Sequence, residues 1–255
     1  MIANAIRQSA RAGRRLLSIR LTYKTQRYLF IYLMLALPLL YFIGTRLVPI
    51  VYSFNISVRE WDVLSSDKPY VGLANFKGLF ADEVFRKSIG NTFLFVAVGV
   101  PGQLAAGLAV ALLLQSVTRF RGFFRTVYFI PYVTSIVAVS WVFRWLLMPN
   151  GWVNAALLKL GLDAQLFLQS PHQAPYVIAL SMIWQSVGFQ MLIFITGLQG
   201  IPSVYYEAAH IDGAGPWRRF RHITIPLLNP VILFSAIIAG ISYLQAFAQI
   251  VSMTQ

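Results

Sequence analysis

The chain has 255 residues, 58% of them hydrophobic and 11% charged, with a mean hydropathy of +0.66. Soluble domains carry about 25% charged residues, so this composition excludes a soluble globular protein and specifies an integral membrane protein. A net charge of +13 would suggest nucleic acid in a soluble chain; here no nucleic-acid partner is expected, and the placement of the charges along the chain is the informative quantity.

A basic segment, residues 1–27, comes first, with Arg7, Arg11, Arg14, Arg15, Arg20, Lys24 and Arg27 and no acid. Five apolar stretches follow at residues 28–54, 91–114, 127–148, 175–198 and 227–251. Each is long enough for a hydrocarbon core that takes about 20 residues per helix. Barrel strands would alternate in polarity, and the run from Ala105 to Leu114 does not, so the predicted fold is all-α. There is no cysteine, which excludes disulfides and cysteine metal sites and leaves the redox compartment unassigned.

Thirteen of the 21 basic residues fall in the leader, the loop after the second span (Arg119, Arg121, Arg125) and the loop after the fourth (Arg218, Arg219, Arg221). Those segments hold only Glu207 and Asp212 of the eight acids. The positive-inside rule therefore puts the amino terminus in the cytoplasm. A mitochondrial transit peptide would also be Arg-rich and acid-free, but this leader runs directly into a span whose orientation it explains. Five spans would leave the last residues outside straight after an apolar helix, so a sixth span is expected beyond Gln255.

The spans contain no Asp, Glu or His, the side chains that ion-coupled carriers place inside the bilayer. Arg46 and Arg144, toward span ends, read as snorkelling interfacial anchors. The chain lacks the Gly-x-x-x-x-Gly-Lys-Ser/Thr phosphate loop, so any ATP is expected to be hydrolysed by a partner, and no enzymatic activity is expected here.

Residues 206–226 form a charged island between the last two spans. Ser203 reads as the N-cap of a short helix over 204–211, with Glu207 near its positive end. Asp212, Gly213, Ala214, Gly215 and Pro216 are turn chemistry, and Pro216 is placed to open a second short helix through Trp217 and Phe220. Two short helices carrying Ala208, Ala209 and Ile211 suit a groove on a soluble partner, as against an ordinary amphipathic loop.

Glu207, Ala208 and Ala209, then Gly213, Ile223, Ile225 and Pro226 at their spacings resemble the EAA signature of permease subunits of binding-protein-dependent ABC importers. The family usually has Leu where Ile225 stands. Asp212, Ala214, Phe220, Leu227 and Pro230 narrow the likeness to the carbohydrate-uptake, maltose-type branch. Val71, Gly72, Leu73, Asn75 and Phe76, Asn91-Thr92, Phe129-Ile130-Pro131, and Gly197-Leu198-Gln199 with Ile201-Pro202 are similar to it too. The likeness thus covers residues 28–255.

This resemblance implies a type I importer transmembrane domain over 28–255, with a coupling loop at 202–226. That loop would seat in a cytoplasmic ATPase through Glu207, Ala208, Ala209, Asp212, Gly213, Ile223 and Pro226. The family's Thr254-Gln255 is typically continued by Gly-Gly-Pro and a last helix. Implied partners are a homologous second permease, an ABC ATPase dimer, an extracytoplasmic solute-binding protein, a sugar and membrane lipid. ATP and Mg would bind the ATPase and no cofactor this chain, in the bacterial inner membrane.

A sugar needs hydrogen-bonding groups and flat apolar faces in a cavity that sheds water. Ser181, Trp184, Gln185, Phe189 and Gln190 offer these in the fourth span, Gln185 and Phe189 sharing a helical face. Ser242, Gln245 and Gln249 fall at i, i+3 and i+7 in the fifth, beside Tyr243. Polar side chains in buried helices also bond neighbouring helices. The resemblance favours Gln185, Phe189, Tyr243 and Gln245 as sugar contacts. The loop from Trp61 to Arg86, on the outer side, is either a binding-protein contact or simply solvated.

Three rival classes leave different marks. A glycerol phosphate or other polyol permease would need a cation facing the cavity, from Arg46 or Arg144. A secondary carrier would show repeats or intramembrane charges. A membrane enzyme would need clustered carboxylates or a Ser/His/Asp set, whereas His172, His210 and His222 are dispersed.

Overall fold

The computed structural model describes residues 22–62, 64, 67–117 and 119–254. Arg7, Arg11, Arg14, Arg15 and Arg20 of the basic leader, and Gln255, lie outside them. Among the described residues the fold is all-α, with one isolated β-bridge between Arg59 and Tyr70. The chain divides into two compact units, Met1–Asp82 and Glu83–Gln255.

In the first unit α1 spans Tyr23–Ser57 and α2 spans Ala74–Ala81. A π turn at Ile43–Leu47 interrupts α1. Its position has a steric reason: Pro49 lacks an N–H and its ring would strike the carbonyl of Thr45, four residues back, which the wider π turn displaces. The segment after α1 is stitched by side chains. Asn75 donates from Nδ2 to the carbonyls of Ser57 (3.0 Å) and Arg59 (2.8 Å). Arg59 donates from Nε to Asn55 Oδ1 (3.0 Å) and from Nη1 to the Lys68 carbonyl (3.1 Å). Lys68 Nζ lies 3.6 Å over the ring of Trp61, whose edge meets Tyr52. Part of the predicted outer loop is thus an ordered polar and aromatic surface.

The second unit runs α3 Glu83–Ser116, α4 Arg121–Val133, α5 Ile136–Leu146, α6 Trp152–Lys159, α7 Ala174–Gln199, α8 Ser203–Ile211, α9 Pro216–Leu244 and α10 Phe247–Thr254. Among the described residues four helices, α1, α3, α7 and α9, are long and apolar enough to cross a membrane, and a fifth span results if α4 and α5 count as one.

Helix α7 is the axis of this unit, with eleven of its 26 residues buried; α3 and α4 pack on it, while α9 also packs on α3 and α10 on α5. One cluster joins Phe95, Ile178, Met182, Tyr243, Ala246 and Met253; a second joins Ala111, Leu114, Met191, Phe194, Leu198 and Leu228. In a bilayer such contacts depend on close fit rather than on expelling water, which is why small residues sit where helices touch. A Cβ on Gly188 of α7 would fall on the Tyr128 backbone of α4, one on Gly99 of α3 on the Tyr243 ring, and one on Gly107 on the Gln190 side chain.

Two predicted spans are not single helices. The span expected at 127–148 is broken into α4 and α5, bent by 94°. Pro131 weakens the last turn of α4, and Thr134 takes an extended conformation that ends it. The span expected at 227–251 is displaced at both ends. It begins at Pro216, because a π turn at Phe220–Thr224 places His222, four residues before Pro226, in a widened turn and carries the helix through that proline. It stops at Leu244, and the chain turns so that Ala246, just before α10, and Ile250 and Met253 on α10 pack into the core. Hence Ser242, Gln245 and Gln249 do not form one helical stripe.

Gly188→Leu forces a side chain into the α4 backbone; overpacking of this kind costs about 1–3 kcal/mol, and a lower thermal midpoint of the detergent-solubilised protein is the expected result. Gly122→Leu, where a Cβ meets nothing within 4 Å, should leave the midpoint unchanged.

Candidate functional site

The break between α4 and α5 frees a backbone carbonyl, at Thr134, inside an apolar segment, where an unpaired polar group costs several kcal/mol. Gln185, buried on α7, answers it: its Nε2 donates to the Thr134 carbonyl at 3.2 Å. Gln185 Oε1 in turn accepts a longer, weaker bond from Gln249 Nε2 on α10, at 3.4 Å. One turn along α7, Phe189 stacks face to face on Tyr132 of α4, centroids 4.5 Å apart. Trp184, half exposed, meets Phe143 of α5 edge-on at 5.3 Å. These side chains clasp the elbow of α4 and α5, and the elbow holds an apolar cleft of about 230 Å³ between Pro131, Thr134, Val142 and Trp184.

Gln185, Phe189, Trp184 and Gln249 thus gather at or near the elbow. The other predicted sugar-contacting residues lie elsewhere. Ser242 is exposed and donates to the Ile238 carbonyl of its own helix. Gln245 is exposed at the break between α9 and α10. Tyr243 is 2% exposed, packs over Gly99, and its hydroxyl has no partner among the described residues. It borders a cavity of about 480 Å³ with Asn91, Thr92, Phe95 and Ile178. Of the two further polar candidates on α7, Ser181 donates to the Ile178 carbonyl, and Gln190 accepts a long bond from Gln103 of α3 at 3.4 Å; such interhelical bonds contribute about 0.6 kcal/mol in a membrane. Thr134 and Tyr132 were missed by sequence reasoning, and the Pro131 to Ser135 interruption of an apolar run was the signal for both.

Outside the spans, α8 and the start of α9 carry the charged island. The helix begins at Ser203, one residue earlier than predicted, because Pro202 (φ −60, ψ 134) holds the cap position, and no side chain caps it. Ser203 is therefore not the N-cap. Glu207 sits on the second turn rather than in the first, so the favourable dipole placement is lost. At the other end, Gly213 takes φ +72, its N–H bonds the His210 carbonyl at 3.1 Å, and the Ala214 N–H bonds the Ala209 carbonyl at 2.8 Å. This is the Schellman arrangement, in which glycine costs least. The predicted second short helix is instead the first turn of α9, starting at Pro216. Tyr206 and the buried Thr224 share a 3.0 Å hydroxyl hydrogen bond that ties α8 to α9.

Glu207, Ala208, Asp212, Gly213 and Pro226 are exposed, Ala209 and Ile223 half-buried. Ile211 and Trp217 are 87% and 71% exposed, and the Trp217 ring meets that of Phe220 at 5.5 Å.

Several apolar spans around one polar elbow, with an exposed helix–turn–helix edge between spans, define a multi-span membrane transport subunit. The chain belongs to the family of binding-protein-dependent transport system inner membrane components, whose model matches residues 103–255. It is 37% identical over 204 residues to a probable ABC transporter permease protein of Pyrococcus horikoshii, covering 78% of this chain and 69% of that one. It is 36% identical to the lactose transport system permease protein LacF of Rhizobium radiobacter, covering 73% of this chain and 63% of that one, so it spans less than two thirds of that relative's length. The fold resembles the crystal structure of a bacterial ABC transporter involved in the import of the acidic polysaccharide alginate (TM-score 0.77, 26% identity, 90% of this chain and 79% of that one).

Gly213→Val puts a β-branched residue at positive φ, where even an ordinary side chain costs about 1–2 kcal/mol. Hydrogen exchange should then show faster exchange at the Gly213 and Ala214 amides, while Gly213→Asn, which tolerates this conformation, should stay near the original rates.

Proposed function

We propose that this chain is a membrane subunit of an ATP-driven importer, passing a sugar delivered by an extracytoplasmic solute-binding protein across a bacterial inner membrane. The amino terminus is cytoplasmic in this reading, as the basic loops require. The observation that carries it is the exposed α8 turn, with the Glu207, Ala208, Ala209 and Gly213 signature on a rigid edge and the apolar Ile211 and Trp217 beside it. Such an edge fits a cleft on a partner. The sugar-transport relative LacF supports the substrate class.

In the proposed cycle α8 sits in a cytoplasmic ATPase, and closure of the ATPase dimer around ATP draws it toward the matching helix of a second permease. The hydrogen bond from Tyr206 to Thr224 passes that displacement to α9. The spans then rock to an outward-open state, and hydrolysis returns them. ATP and Mg act on the ATPase. Within the membrane, Gln185 and Gln249 supply amides, and Phe189 and Trp184 flat faces, for the sugar at the elbow. Gln245, exposed at the break, and Ser242 and Tyr243, one turn away, extend the same reading along α9.

Gentle extraction of the tagged chain from its native membrane should copurify an ATPase, a second permease and a solute-binding protein, identified by mass spectrometry. Isolation of the chain alone, still moving solute in vesicles without ATP, would overturn the proposal. In the reconstituted complex, Glu207→Lys should leave assembly intact and cut binding-protein-stimulated ATPase activity and uptake by about tenfold or more, the loss expected when a docked carboxylate's charge-assisted bond, about 1.5–3 kcal/mol, becomes a repulsion. Gln185→Leu with Gln249→Leu should weaken uptake affinity while basal ATPase activity persists; unchanged affinity removes the elbow from the substrate path.

A further inference from the structure

At the other end of α7 from the cavity that Tyr243 borders, the end of α3 and the start of α4, on either side of their connecting loop, meet the end of α7 around a basic cavity of about 380 Å³, lined by Leu114, Gln115, Arg121, Arg125, Ile195 and Gln199. Arg121 and Arg125 lie one turn apart on the same face of α4, so their charges repel in the absence of a counter-ion. No lining residue is acidic. Arg121 is pinned: its Nε donates to the Val117 carbonyl at 3.1 Å and its Nη2 to the Gln115 carbonyl at 2.7 Å. A guanidinium has five N–H donors, so the fork is oriented by the end of α3 with donors left over. Arg125 differs in that its Nε is buried and has no acceptor among the described residues, a state that costs desolvation energy without return.

Two guanidinium groups one helical turn apart, one of them pinned and the other with a buried donor unpaired among the described residues, beside two carboxamides and the apolar Leu114 and Ile195, match one ligand chemistry. We infer that this cavity binds a phosphate group, taken by the paired fork geometry of Arg121 and Arg125, with Gln115 and Gln199 as further donors. The apolar wall on one side of the cavity suits a headgroup with acyl chains attached. In that case the source is an anionic phospholipid of the cytoplasmic leaflet, which attracts basic segments close to the membrane. The leaflet rests on the topology proposed above; the phosphate site does not. If the topology were reversed, the same pair would bind the same group from the opposite leaflet.

The test uses the complex as extracted from its membrane and placed in phosphatidylcholine nanodiscs. Phosphatidylglycerol is titrated in one arm and inorganic phosphate in the other, with ligand retention read by native mass spectrometry and stability by thermal midpoint. The expected result is a tightly held phosphatidylglycerol that Arg125→Lys, which keeps the charge and loses Nε, weakens about tenfold, the worth of one charge-assisted hydrogen bond. R121Q/R125Q should abolish retention, while Arg119→Gln on the same loop leaves it unchanged. Saturation by inorganic phosphate alone, with the same response to R125K, assigns the site to free phosphate. Retention of both ligands by R125K and by R121Q/R125Q at the level of the unsubstituted complex overturns the inference. Because retention is measured without transport, its failure is separate from any failure of the importer assignment.

Discussion

Inside a bilayer each backbone N–H and C=O must find a partner within the protein, and the second unit is organised around that requirement. Where a helix runs unbroken the condition meets itself. Where it breaks, another element must be brought to the break. Gln185 reaches the Thr134 carbonyl for this reason, and α7 therefore cannot slide or rotate against α4 without exposing that carbonyl. The glycine contact between Gly188 and the Tyr128 backbone sets the closeness of approach that lets the amide reach. Polar satisfaction and steric fit are thus one constraint at this interface, and the stacking of Phe189 on Tyr132 follows from it.

Much of this was legible in the sequence wherever the governing physics is local. Apolar length gave the membrane class and the positions of α3 and α7 to within a turn or two at most ends. The Gly213 turn was legible because only glycine takes φ +72 at low cost. Gln185 stood out as a polar side chain in an apolar span, read there as a sugar contact rather than as the partner of the Thr134 carbonyl. The failures arose from local backbone devices that hydropathy does not register and, at Gln249, from packing between distant segments. Pro226 reads as a helix boundary, but the π turn before it lets α9 pass straight through. The run 127–148 is apolar enough to cross the membrane unbroken, yet Pro131 and the extended Thr134 bend it by 94°. Gln249 pairs with Gln185 only because the chain turns after Leu244 and lays Ala246 and Met253 into the core, which no periodicity within 227–251 announces.

The same contrast separates the two polar regions. At the elbow, amides and aromatics are engaged with one another, so a ligand there would compete with existing contacts. On α8 Glu207, Ala208 and Ile211 are exposed, while the Schellman turn holds the carboxyl-terminal backbone of the helix. A ligand at the elbow must displace contacts already made, whereas a partner at α8 meets side chains already presented.

The π turn at Phe220–Thr224 has a further effect on α9. A π turn holds one residue more than the α-helix would, and each residue advances an α-helix by about 100°. The stretch from Pro216 is therefore out of phase with the stretch that ends at Leu244, and the two ends of one rod present differently oriented faces. The residues that face outward beside α8 and those that pack against α3 and α7 are free to be set independently. The Pro216 end of the rod is thus keyed to its surroundings without disturbing the register of the core, much as an offset coupling joins two shafts whose markings need not align.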